Sequence, residues 1–152
     1  MMRAGVPSRM DRVMQTRFGG PEYPVEEQGN CFAAAMATIL GIGLAEAEGY
    51  LDGLDSTEKI EAHWWEYLNK WLKPYGFAAL YLPWSPPPYP EFYSDGKPGL
   101  VYIANGPGPR GFEHSVVYCD GELLHDPHPS GDGLSEVTSF VLFVPLFDLP
   151  VP

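Results

Sequence analysis

Helical spacing of apolar residues stops at Pro74-Tyr75-Gly76, and the chain beyond it reads as short β-rich runs separated by turns. This change of period constrains the fold more than any other feature. Helices grouped ahead of strands are expected to pack as an α+β fold, with N-terminal helices against an antiparallel β-sheet. The first helix is predicted from about Asn30 to Gly41, where Gly41 and Gly43 end it. A short helix follows around Leu44–Leu51. In the third, Asp55 and Glu58 fit a capping box, and Ile60, Trp64, Leu68, Trp71 and Leu72 form an apolar stripe that reads as core packing. Predicted strands are Phe77–Leu82, Leu100–Ala104, a hairpin around Asp120-Gly121, and Val137–Val144. The run Pro83-Trp84-Ser85-Pro86-Pro87-Pro88-Tyr89-Pro90 reads as a stiff surface connection, with a polyproline ligand as the other use of such a run.

With 152 residues, the chain is long enough for one domain with a sizeable core. Residues 1–29 carry Arg3, Arg9, Arg12 and Arg17 among turn formers, with little periodicity, so they read as an extended or partly disordered arm before a single domain at 30–152. A net charge of −11 with nine scattered basic residues argues against nucleic acid as the main partner and suits a basic or neutral peptide. No apolar run is long enough for a membrane span, and Met1-Met2-Arg3 opens no signal-peptide pattern. Two cysteines do not make a disulfide scaffold, so a reduced, cytoplasmic setting is the simplest expectation. Composition sets neither oligomeric state nor substrate identity.

Chemistry concentrates in two places. Gln28-Gly29-Asn30-Cys31 sets a cysteine after a polar, glycine-containing turn, at the start of the alanine-rich helix that runs on to Leu40. Unpaired N–H groups and the positive dipole end of a helix favour a thiolate there. Most free cysteines are small buried hydrophobes, so the turn alone does not decide between the two. Far downstream, His114 opens a strand and Asp126 closes its hairpin partner. This is the chain order of a Cys-His-Asp nucleophilic site. A turn made of Asp120-Gly121 alone would face Ser115 with Asp126. A three-residue loop, Cys119-Asp120-Gly121, would pair His114 with Asp126, Val116 with Leu124 and Val117 with Leu123. Cross-strand apolar matching favours the second register. On this reading Cys31 is the activated thiol and Cys119 is not.

These residues resemble those of papain-like cysteine peptidases. His114-Ser115-Val116-Val117 leading through a turn to Asp126-Pro127 is similar to the bacteriocin-processing peptidase domains of export transporters. The Gly29-Asn30-Cys31 step resembles the nucleophile turn of ovarian-tumour-type deubiquitinases. The matching motifs cover a minority of the chain and are moderately specific together. The resemblance implies a papain-like fold with Cys31 as nucleophile, His114 as base and Asp126 as the acid that orients it. It implies a peptide or protein substrate, hydrolysis of a peptide or isopeptide bond through a thioester, and no cofactor. The same site could instead transfer the acyl group to an amine or deamidate glutamine.

The sequence departs from the family at the oxyanion-hole glutamine, for the expected position several residues before the cysteine is Val25. Gln28 is the nearer candidate donor, with the Asn30 side chain and the Cys31 N–H as alternatives and Gln15 further upstream. A defective hole would leave a weak or inactive papain-like binding or inhibitor protein. The glycine–proline stretch Asn105–Gly111 is expected to approach a ligand or act as a lid, with Gly111 and Arg110 contributing to substrate binding. His125, Asp126, His128, Asp132 and Cys119 are crowded enough to suggest a metal. Pro127 stiffens the run, however, and no second cluster completes a zinc site, so no metal is expected.

Overall fold

The computed structural model describes residues 11–86 and 99–147. Three helices, α1 (Cys31–Leu40), α2 (Leu44–Ala47) and α3 (Thr57–Leu72), precede five strands: β1 (Phe77–Leu82), β2 (Val101–Pro107), β3 (Glu113–Cys119), β4 (Glu122–His125) and β5 (Ser139–Pro145). The sheet order is β1-β5-β2-β3-β4, and every neighbouring pair is antiparallel. The chain is therefore α+β. No single helix among the described residues is long and apolar enough to cross a membrane. Pro87–Pro90 of the proline run lies outside the described residues.

Local sequence accounts for the helix ends. Gly41 adopts the left-handed conformation (φ 72°), and its N–H bonds Ala37 O at 2.9 Å, closing α1 where a side chain would be strained. The cap of α3 is Ser56, whose hydroxyl accepts from Lys59 N, not the predicted Asp55. Asp55 instead ion-pairs with Lys59 at 2.8 Å, one turn along an exposed helix end.

The sheet is buried on both faces at its centre. Ile103, Val117 and Val141 face the helices, packing with Met36, Leu40, Leu68 and Leu72. Their strand neighbours Tyr102, Ala104, Val116 and Phe140 face the opposite side, under Leu134 and Val137. Period-two alternation thus feeds two cores, which is why the strand centres are apolar at successive positions.

The expected lid at Asn105–Gly111 is in part a strand. Asn105, Gly106 and Pro107 pair with Ser115, His114 and Glu113, and only Gly108–Phe112 forms the turn. Gly106 is required by a close approach of backbone, since a Cβ there would lie 1.9 Å from Glu136 O. That crossing is held by Ser135 N to Pro107 O at 2.8 Å and Thr138 N to Asn105 O at 2.9 Å. Gly106→Ala is expected to cost about 3 kcal/mol, by overpacking against main chain that cannot yield. Gly43→Ala, with nothing within 4 Å of its Cβ, should change stability by under about 0.5 kcal/mol. Equal urea midpoints for the two variants would contradict this account.

Candidate active site

The β3–β4 hairpin brings His114 and Asp126 together by a route the sequence pattern does not reveal. Asp120 (φ 50°) and Gly121 (φ 85°) form a two-residue turn with Cys119 opposite Glu122 and Tyr118 opposite Leu123, so the three-residue loop is not the one adopted. The adjacent strand decides the matter. Asp120 exchanges bonds with Leu100, donating its N–H to Leu100 O at 2.9 Å and accepting Leu100 N on Oδ1 at 2.7 Å, while Gly121 N–H donates to the Tyr102 hydroxyl at 3.1 Å. The register then slips: Val117 stands opposite His125, leaving Leu124 as the extra residue of a bulge. One inserted residue reverses the parity of everything beyond it, so Asp126 returns to the face that His114 occupies.

His114 Nε2 lies 2.7 Å from Asp126 Oδ1, and both side chains are under 5% exposed. The carboxylate is saturated. Oδ1 also accepts His128 N at 2.9 Å, and Oδ2 accepts Gly133 N at 2.8 Å. Burial works to raise the Asp126 pKa, but the hydrogen bonds from His114, His128 and Gly133, with the His114 charge, outweigh it and hold the group below the ordinary carboxylate value. Because the imidazole is bound through Nε2, its Nδ1 is the atom left for a second partner.

Cys31 begins α1 as predicted. Asn30 precedes it but caps nothing with its side chain. Its Oδ1 accepts Thr16 N at 2.9 Å and Arg17 N at 3.0 Å, and its Nδ2 donates to Thr16 Oγ1 at 3.0 Å. The carboxamide therefore binds the arm to the turn before Cys31 and leaves the first N–H groups of α1 uncapped by a side chain. Burial pushes the Cys31 thiol above its ordinary pKa, against hydrogen bonds from the Ser115 backbone and hydroxyl and from the N–H groups of Phe32 and Cys31 that favour the thiolate. Cys119 is also raised, by burial and then by the charges of Asp120 and Glu122.

Cys31 and His114 line one cleft of about 270 Å³, together with Gln15, Gly29, Phe112 and Arg110. No hydrogen bond joins the thiol to the imidazole. Alternation along β3 explains this: Ser115 shares the face of Val117 that α1 covers, while His114 shares the face of Val116. The thiol consequently rests on Ser115, whose single hydroxyl hydrogen serves either the sulfur or Asn105 Oδ1, 2.7 Å away, while its backbone remains beside the sulfur in both cases.

The other sequence-predicted residues fall in varied places. Gln28 reaches the cleft wall, but its amide is engaged by Tyr23 O at 2.8 Å, Thr57 Oγ1 at 2.8 Å and Pro21 O at 3.3 Å. Gln15, on the arm, lines the cleft with one amide hydrogen on Arg17 O at 2.9 Å. Its Oε1 is the one buried side-chain oxygen or nitrogen without a partner among the described residues. Arg110 lines the cleft and donates to Ser130 Oγ at 3.3 Å, whereas Gly111 (φ 94°) serves the turn, with its N–H on Gly108 O at 3.2 Å. Asn30 does not line this cleft. His125 Nε2 bonds Val13 O at 2.8 Å and His128 Nδ1 bonds Ser130 Oγ at 2.9 Å. No group of three metal-ligating side chains occurs among the described residues. Sequence reasoning did not single out Ser115, Gly133 or Tyr50. For Ser115 the signal was available, because a residue next to His114 on a strand must face the opposite side.

Comparison with protein-family models, with curated proteins and with solved structures found no match.

Two outcomes follow from the electrostatics. Alkylation of Cys31 by iodoacetamide should be slow at pH 7 and climb with pH to beyond 9, because a raised thiol pKa delays the thiolate. A rate already at its plateau by pH 7 would contradict the desolvated setting. Asp126→Asn should cost on the order of 2 kcal/mol at neutral pH, since it loses charge-assisted hydrogen bonds. A depressed carboxylate pKa contributes stability above the unfolded value of about 3.9 and loses it as pH falls through the lower folded value. The gap between wild type and variant in denaturant titrations should accordingly narrow below about pH 4; a gap independent of pH would refute it.

Proposed function

We propose that this chain is a papain-like cysteine hydrolase that cleaves a peptide or isopeptide bond. The observation that carries the reading is the buried His114–Asp126 pair, joined through Nε2, opening onto the same cleft as a cysteine at a helix start. In the proposed mechanism His114 Nδ1 takes the Cys31 proton, and the thiolate attacks the scissile carbonyl. Asp126 holds the ring orientation and stabilises the imidazolium. Collapse of the tetrahedral intermediate breaks the C–N bond, and His114 returns the proton to the departing amine. Water, deprotonated by His114, then cleaves the thioester to carboxylate and free thiol. Capture of the thioester by an amine, or attack on a glutamine side-chain amide, would use the same groups.

The oxyanion donors we assign are the uncapped N–H of Cys31 and the second amide hydrogen of Gln15. The Gln15 amide nitrogen lies 3.7 Å from where a Gly29 Cβ would stand, close to the nucleophile turn. Gln28 is less suited, because its NH2 already has three acceptors. The thiol–imidazole contact is not formed in this conformation, so a peptide-binding protein with a latent site is the second reading, favoured by the raised Cys31 pKa.

On a fluorogenic peptide that the wild type turns over, Cys31→Ala should abolish activity and His114→Ala should nearly do so. Gln15→Ala should lower kcat by about 100-fold, and Gln28→Ala should do less, through the arm it braces. Equal effects of the two glutamine variants would remove Gln15 from the oxyanion hole. Wild-type peptide binding that Cys31→Ala leaves intact, with no turnover of any peptide, would establish the binding reading instead.

A further inference from the structure

A second pocket of about 130 Å³ shares the Gln28-Gly29 segment with the cleft as a common wall. Val25, Phe32, Ala33, Leu51 and Ile60 line it with Tyr50, beside the polar Gln28 and Asn30. Arg17 and Glu48 also line it, and they are ion-paired to each other, so the pocket presents little net charge. Asn30 and Phe32, the chain neighbours of Cys31, line this pocket, while Cys31 itself lines the cleft. The nucleophile stands at the divide between them. Tyr50 is close enough to respond to it: its hydroxyl pKa is raised by burial first, and then by the charge of Cys31 and of Glu48.

We propose that this pocket is the subsite for one aliphatic or aromatic side chain on the acyl side of the bond that Cys31 attacks. The inference rests on the hydrolase reading and gives that site its substrate class, a peptide with an apolar residue next to the scissile carbonyl. Its direction follows from proton bookkeeping. The departing amine needs its proton from His114, so it leaves on the cleft side. The pocket contains no residue of β3 or β4 and receives the opposite, acyl half. A lysine or glutamate side chain entering it would shed water beside Phe32, Leu51 and Ile60 and would have to compete with the existing Arg17–Glu48 pair for a counter-charge. The Gln28 amide, bonded to Tyr23, Pro21 and Thr57, braces the partition between the two concavities, and Gly29 keeps the crossing free of a side chain.

The test is labelling of the intact protein by acetyl-Gly-X-chloromethyl ketones, where X is glycine, alanine, leucine, phenylalanine, glutamate or lysine. Cys31 Sγ displaces chloride from the methylene carbon to form a thioether, read by mass spectrometry, with iodoacetamide reporting the bare thiol. Leucine or phenylalanine at X should label Cys31 at least about 10-fold faster than glycine, glutamate or lysine. Ile60→Phe, which fills the pocket from the partly exposed side of α3, should remove that advantage and leave the iodoacetamide rate unchanged. Labelling by every ketone at one rate, or fastest with a charged X, overturns the subsite and leaves the nucleophile standing. Reaction of Cys31 with iodoacetamide but with none of the ketones overturns the hydrolase reading and the subsite together.

Discussion

The Asn30 carboxamide is the contact on which the rest of the site depends. An asparagine before a helix ordinarily caps it. Here Oδ1 and Nδ2 turn away to the backbone of Thr16 and Arg17 and the hydroxyl of Thr16. Two consequences follow. The start of α1 retains donors for a sulfur or an oxyanion, and the arm is held against the turn before Cys31. Gln15 N then bonds Pro127 O at 3.1 Å, and Gly19 bridges to Glu27 and Gly29. Residues with no periodicity of their own thereby become one wall of the cleft, tied to the turn before Cys31 and to the loop that carries Asp126.

This dependence explains what was legible in the sequence. Secondary structure was, because period and punctuation are local: Gly41 ends α1, and Phe77–Leu82 is a strand with the expected bounds. The residue types of the candidate site, Cys31, His114 and Asp126, were also legible in chain order. The contacts that arrange it were less so. Asp120-Gly121 could have formed either loop on local grounds, and the choice was made by Tyr102 of β2 and by Leu100 just before it. The expected contact between His114 and Asp126 exists, but a bulge at Leu124 produces it rather than the expected register. Gln28 was the nearest glutamine in sequence, yet proximity along the chain says nothing about whether an amide is free. Its partners lie at Tyr23, Pro21 and Thr57. Asn105–Gly111 looked like a loop because Gly and Pro depress strand propensity, while Gly106 is there to let the Glu136 backbone pass.

The His114–Asp126 pair and the cysteine also divide the electrostatic work unequally. Asp126 is buried yet held ionised, because three donors converge on two oxygens. A buried carboxylate with that many partners is costly to disturb, and it fixes the imidazole in one orientation. The neighbouring His128 is pushed the other way, toward neutrality, by burial and then by the charge of Arg110. An imidazole held toward its neutral form adds no full charge beside the His114–Asp126 pair.

The two cysteines show why a raised pKa at Cys31 does not by itself make it an inert thiol. At Cys119 every influence points the same way: burial, Asp120 and Glu122 all oppose the thiolate. At Cys31 burial alone opposes it, and each specific contact favours it, from Ser115 to the first N–H groups of the helix. Desolvation is a property of the surroundings and is altered by anything that moves a charge or a dipole beside the sulfur. The fixed donors remain. An imidazolium brought beside Cys31 would add to these donors, whereas at Cys119 it would first have to overcome two carboxylates. Both thiols rest above their ordinary value, Cys31 against fixed donors that favour its thiolate and Cys119 with no such donor to oppose its burial and its two carboxylates.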